Sequence, residues 1–302
     1  MKTKKETYTK WDYIIIFNHE EIIVWTLRVI VKHFEGILGR HMPRYALVVE
    51  YNGKAYCGWQ RQKSQSSVQE TIENAIRKLE EDLPHITAAG RTDTGVHALG
   101  QVIHFDLKKD WSPETLKAAI NANLRPSKIA VLKASEVDED FHARFSAVER
   151  TYLYRVIVRS SPLVFETGLA WHIYKDLDLA DMTKGASYLM GKHDFTTFRS
   201  AHCQALSPVK TMNNIQIDSS LSPSGKEYVF ILEAPSFLHK QVRSIVGTLV
   251  KVGMKNLGPR DVKTILEARN RQECGPLAPP EGLYLKKVTY DPDPFSGIEI
   301  SK

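Results

Sequence analysis

The chain is poor in cysteine. Its three residues, Cys57, Cys203 and Cys274, stand far apart among 302 and form no C-x-x-C pair. That spacing excludes a zinc knuckle and leaves too few partners for a disulfide framework, so a reducing, cytoplasmic compartment is expected. Long apolar runs are also missing. None approaches the roughly 20 residues that span a bilayer, and no membrane partner is expected. The basic opening, Lys2, Lys4 and Lys5, with the apolar run 13–17, imitates a signal peptide. Asp12, Glu20 and Glu21 interrupt that pattern, and no small-residue cleavage site follows. An acidic surplus is absent too: 41 Lys and Arg against 35 Asp and Glu give a formal charge of +6. Such a balance suits an anionic partner, nucleic acid first. The rest is ordinary, with 42% hydrophobic and 25% charged residues in a length fit for two domains or one large one.

What is there centres on residues 88–105, AAGRTDTGVHALGQVIHF. Gly90, Gly95 and Gly100 punctuate a loop, and Val102, Ile103 and Phe105 supply the strand that follows. Asp93, with glycines nearby, can meet a ligand closely because nothing bulky shields it. Arg91 is near enough to favour its ionised form if the loop folds the two together. Two other readings compete. G-R-T-D-T-G suits an Asx-type turn in which Asp93 bonds its own backbone. The D-T-G of aspartic proteases needs two such loops sharing a proton, and this chain has one, preceded by Gly90-Arg91-Thr92 in place of an apolar strand.

Three further motifs accompany this loop in order: 51–62 YNGKAYCGWQRQ, 141–156 FHARFSAVERTYLYRV and 240–253 KQVRSIVGTLVKVG. Together the four resemble the TruA family of tRNA pseudouridine synthases, collinearly from about residue 43 to about residue 290. The resemblance implies an isomerase that turns uridine into pseudouridine in the anticodon arm of tRNA, at about positions 38–40, without cofactor. It further implies Asp93 as the reacting carboxylate, Tyr152 stacked on the target base, Arg91 assisting in exposing the target nucleotide, and a homodimer. An aspartate covered by a base loses its water and tends to neutralise, so a cation must keep it charged. Arg243 matches the family at that position, with His239 and Gly247 four residues to either side. Two alternatives stay open: a synthase of the same fold with another RNA target, and a tRNA-binding protein with a silent site. Cys57 stands where the family often has an aromatic residue, which touches packing and not catalysis. His97 and His104 suggest metal ligands beside Asp93, but the reaction needs no Lewis acid and no metal is expected. The composition of 58–62, GWQRQ, suits RNA contact; a buried tryptophan in a surface loop is the plainer account.

Local patterns outline the fold. Alternation over 44–51 reads as a half-buried strand, and Ser67 with Glu70 forms a capping box for a helix stopped by Pro84. Ser112-Pro113 opens another helix, and 129–137 is a strand. The second half follows a similar plan, beginning with a strand over 152–158 and a helix capped by Asp178 and ended by Gly191. A hairpin of 215–218 with 228–233, a helix over 238–252 and a last strand over 283–290 follow. Tyr152 and Tyr154 share a strand face, one lining a cleft while the other packs. This is an α+β chain of two ferredoxin-like halves with antiparallel sheets; the resemblance implies their joining edge to edge around a central cleft. The expected division is 1–41, 42–148 and 149–302. Ile23, Leu27, Ile30, Phe34 and Leu38 place a helix over 20–38. Because the resemblance begins only at 42–44, Met42 is favoured as the true start over an added docking helix.

Overall fold

The computed structural model describes residues 42–63, 65–80 and 85–299. The helix expected over 20–38 and the stop at Pro84 lie outside those residues. Apolar alternation makes β1 (Arg44–Tyr51) a buried central strand, paired antiparallel with β3 (His97–Asp106) and β4 (Ile129–Val137). Ser67 caps α1 (Val68–Arg77), its hydroxyl accepting from Glu70 N at 3.2 Å, and the helix ends at Arg77, before Pro84. β2 (Thr87–Ala88) pairs with β3. Ser112 caps α2 (Pro113–Leu124), and Pro113 takes the first turn, where a missing N–H costs nothing. α2 packs on β4 and on α1.

The second half opens with β5 (Ala147–Val158), starting five residues before the expected 152, and β6 (Trp171–Ile173) beside it. Asp178 caps α3 (Leu179–Ser187). This helix ends at Ser187; Gly191, at φ 91°, starts β7 (Gly191–Asp194), which pairs with β8 (Val209–Met212). β9 (Asn214–Ser222) and β10 (Gly225–Ala234) form the expected hairpin. α4 (Gln241–Gly253), α5 (Asp261–Ala268) and β11 (Leu283–Tyr290) complete the chain. α4 begins at Gln241, not at 238, because Lys240 sits at φ 65° and breaks the helical path.

The strands run β4-β1-β3-β11-β5-β10-β9 in one mixed α+β sheet, antiparallel but for short parallel pairings. β11 is the join between halves: it pairs antiparallel with β5 and, over Tyr284 and Leu285, parallel with β3. Along β10, Tyr228, Phe230, Leu232 and Ala234 are buried on alternate positions, the period that one covered sheet face demands. These residues share a core with α3 and α4, including Met182, Ile245 and Leu249. A second core joins β1, β3 and β4 to α1 and α2. β11 serves both, with Leu283 in the former and Leu285, Val288 and Tyr290 in the latter. Burial at about 25 cal/mol per Å² is what commits the C-terminal strand to a place between the halves. Among the described residues, no helix is long and apolar enough to cross a membrane.

Candidate active site

The loop holding Asp93 lies where β3 exchanges one neighbour for another. β2 pairs at His104 and Ile103, β11 pairs at His97 and Ala98, and residues 89–96 occupy the fork between them. Residues 57–59 make the floor of this loop. Trp59 N donates to Thr92 O at 3.0 Å, and Thr94 Oγ1 donates to Cys57 O at 2.9 Å. Gly58, at φ 102°, permits this approach, since a Cβ there would lie 2.8 Å from Thr92 O. Trp59 is buried and packs near Tyr51, which places it in the core and not on an RNA-facing loop. The buried Gln101 amide clasps Gly90 from the other side, donating to its O at 2.6 Å and accepting from its N at 3.4 Å.

Asp93 itself points to α4. Arg243 Nη1 donates to its Oδ2 at 3.1 Å, and His239 Nε2 meets its Oδ1 at 3.0 Å. Both carboxylate oxygens are therefore engaged. The three side chains differ in access: 10% exposed for Arg243, 26% for Asp93 and 41% for His239. Arg243 is the fixed member. Its Nε donates to Ala278 O at 2.7 Å, and Ala278 N donates back to Arg243 O at 3.1 Å. Gly247 admits this strap, because a Cβ there would stand 1.8 Å from Pro276 O. His239 reaches Asp93 from the turn before α4, aimed by the left-handed Lys240.

Tyr152 is half-buried on β5 and packs against both cores. Its ring meets Phe237 edge-on, 5.0 Å between centroids. A Cβ on Gly90 would lie 3.8 Å from its hydroxyl. Burial pushes the phenol up to about 12; the Arg150 charge opposes this and the Asp93 charge adds to it. Tyr154 is fully buried, its hydroxyl donating to Pro279 O at 2.7 Å. Arg91 is exposed and forms no ion pair with Asp93; the cation that meets the carboxylate is Arg243, from the other half. His97 and His104 turn away into the sheet, their Nδ1 atoms accepting from Gly53 N and Ala143 N at 3.0 and 3.1 Å. The contact that sequence reasoning did not assign is His239; its spacing of four from Arg243 was the available signal.

The family described as tRNA pseudouridine synthase matches residues 47–146 and 186–291. Asp93 and Arg91 fall in the first matched stretch, His239 and Arg243 in the second, and Tyr152 between them. Curated relatives named tRNA pseudouridine synthase A are similar over nearly their whole length. That of Dinoroseobacter shibae is 58% identical over 254 residues, 84% of this chain and 99% of the relative. Those of Jannaschia sp. and Paracoccus denitrificans are 54% and 53% identical, each over 84% of this chain and 98% and 99% of their own. A crystal structure of a Cbf5-Nop10-Gar1 complex is a far more distant likeness, with a TM-score of 0.31 at 10% identity over 71% of this chain and 55% of that one.

Proposed function

The chain belongs to the tRNA pseudouridine synthase family, and we propose that Asp93 is the carboxylate with which it isomerises uridine in the anticodon stem-loop of tRNA, at about positions 38–40. The reaction breaks the bond between uracil N1 and ribose C1′, turns the base, and joins C5 to C1′; a proton leaves C5 and N1 gains one. No oxidant or reductant is consumed. The ribose passes through an electron-poor state that a carboxylate stabilises, by attack on C1′ or by removal of the neighbouring proton. The observation that supports Asp93 is the hold on both its oxygens, by a nearly enclosed guanidinium and a more exposed imidazole. Arg243 stays paired with Oδ2 when a base displaces water, and the more exposed contact to His239 leaves Oδ1 as the oxygen that can be released to the substrate.

Tyr152 supports the target base by stacking, as a neutral phenol whose ring is braced by Phe237. In this reading Arg91, exposed two residues before Asp93, fills the space a nucleotide leaves when it swings out of the helix. The halves at 42–148 and 149–302 are supported by the two cores, which β11 shares; the extension at 1–41 lies outside the described residues. Two copies grip one bent tRNA in this reading, so sedimentation at micromolar concentration is expected to give twice the monomer mass; a monomer that still turns over is incompatible with it. The activity is tested by mapping pseudouridines in tRNA from cells with and without the gene. Loss confined to the anticodon arm is expected, and an unchanged map counts against the proposed target.

A further inference from the structure

The turn after Phe141 carries a group that the chemistry at Asp93 does not use. Phe145 is 75% exposed, an aromatic ring that packing alone would have buried. Its backbone is nevertheless held firmly. His142 N donates to Ser146 Oγ at 3.0 Å, and Ser146 N donates to His142 O at 2.9 Å. His142 Nδ1 accepts from Arg144 N and from Phe145 N, at 3.2 Å each, and Ala143 N is taken by the buried His104. The His142 ring lies against Phe145, 4.4 Å between centroids and 33° between planes. The Arg144 guanidinium stands 5.5 Å from the same centroid. Arg144 is exposed and has no carboxylate partner among the described residues.

One guanidinium ties this turn to the site. Arg150 Nη2 donates to Arg144 O at 2.5 Å and to Ala89 O at 3.3 Å, where the loop of Asp93 begins. Its Nη1 donates to Ala147 O at 3.1 Å and to Pro235 O at 2.7 Å, just before the Phe237 that braces Tyr152. The exposed ring is thus a fixed extension of the catalytic framework and not a loose loop.

We propose that Phe145 and Arg144 form a second nucleotide-binding site, in which an unpaired base of the RNA substrate stacks on the Phe145 ring and its phosphate meets Arg144. An RNA opened to expose one uridine leaves neighbouring bases without stacking partners, and an aromatic face next to a cation is the chemistry that receives them. The rigid turn removes the ordering cost that a flexible side chain would bring to such a contact. A single ring beside an unpaired cation suits a base and its phosphate better than it suits the broad apolar face of a second protein.

The test uses full-length enzyme and an unmodified tRNA transcript, with wild-type turnover measured alongside so that failure of the isomerase reading is seen separately. Phe145→Ala is expected to weaken tRNA binding about tenfold, within the range of one lost aromatic–base stack, with the rate at saturating enzyme within twofold of wild type. Phe145→Trp is expected to bind at least as tightly as wild type. Arg144→Gln should make the plot of log affinity against log salt shallower by about one unit, and Phe145→Ala should leave that slope unchanged. A transcript carrying 4-thiouridine in the anticodon arm is expected to crosslink to the turn at 142–146. Wild-type affinity in Phe145→Ala overturns the proposal, as does an Arg144→Gln slope equal to wild type. A fall in affinity that appears only together with altered sedimentation also overturns it, by assigning the ring to a protein contact.

Discussion

Gly247→Ala should damage this protein, although the same exchange in an exposed helix stabilises by about 1 kcal/mol. The added methyl would stand 1.8 Å from Pro276 O, 2.9 Å from Pro276 C and 3.1 Å from Ala278 N. All three are backbone atoms and cannot swing aside like a side-chain tip. Ordinary contact between carbon and oxygen is about 3.3 Å at its closest, so the strap must retreat by about 1.5 Å. That displacement breaks the paired bonds between Arg243 and Ala278. Overpacking costs about 1–3 kcal/mol and each lost hydrogen bond about 0.5–1.5 more, which outweighs the helical gain. A net loss of about 2–4 kcal/mol is expected, read from urea midpoints at unchanged m. The single-turnover rate on tRNA should fall more than tenfold, because Arg243 loses the anchor that aims it at Asp93. Gly185→Ala on α3 is the control: its methyl would press on Val262 Cγ2 at 3.1 Å and Leu249 Cδ2 at 3.3 Å, side-chain tips that can give, while the backbone atom it meets, Pro259 Cα, stands at an ordinary 3.9 Å. It should remain within about 1 kcal/mol of wild type. A Gly247→Ala protein as stable as wild type, or a control equally damaged, refutes the reasoning.

Two further outcomes follow from named contacts. His239→Phe removes the donor to Asp93 Oδ1 while keeping a ring; single-turnover rate should drop by about tenfold with tRNA affinity unchanged, and His239→Gln should recover part of it. A weakened affinity with unchanged rate would instead make His239 an RNA contact. His104 is pushed down to about 4, first by burial and then by the Arg44 and His142 charges, with Asp106 opposing. Above its ordinary value near 6.5 both folded and unfolded forms are neutral, and between there and about 4 only the unfolded chain takes the proton. Stability should therefore fall as pH drops through that window, by about 3 kcal/mol for this group, and level off below it. His104→Asn should flatten the fall in urea midpoint between pH 7 and pH 5, and an equal fall would show that other groups cause it.

Much of the framework was readable because local chemistry agrees with the tertiary structure. The strand ends at 44–51, 129–137 and 283–290, and the caps Ser67, Ser112 and Asp178, follow from period and capping alone. β6, β7 and β8 are three or four residues long and too short to show a period. α5 carried a helical triplet, Val262, Ile265 and Leu266, but Arg269 in the left-handed conformation ends it where no glycine marks a stop. α4 starts three residues later than its apolar pattern predicts for the same reason, because the positive φ of Lys240 has no sequence signature. The site was legible as separate motifs. That Arg243 meets Asp93 across 150 residues of chain depends on β11 joining the halves and on the strap at 276–278 holding the helix, and both are tertiary facts. The GWQRQ segment shows the converse: its composition suggests an RNA surface, while Trp59 is core and Arg61 pairs with Glu73.

The most direct measurement is the turnover and tRNA affinity of Asp93→Asn, assayed side by side on an unmodified transcript. The exchange keeps the shape of the side chain and removes the charge that Arg243 and His239 hold. If Asp93 is the reacting carboxylate, no pseudouridine forms even with enzyme in excess. Affinity then stays within about 1 kcal/mol of wild type, because the phosphate contacts are untouched. Turnover at even a few per cent of wild type would contradict the assignment.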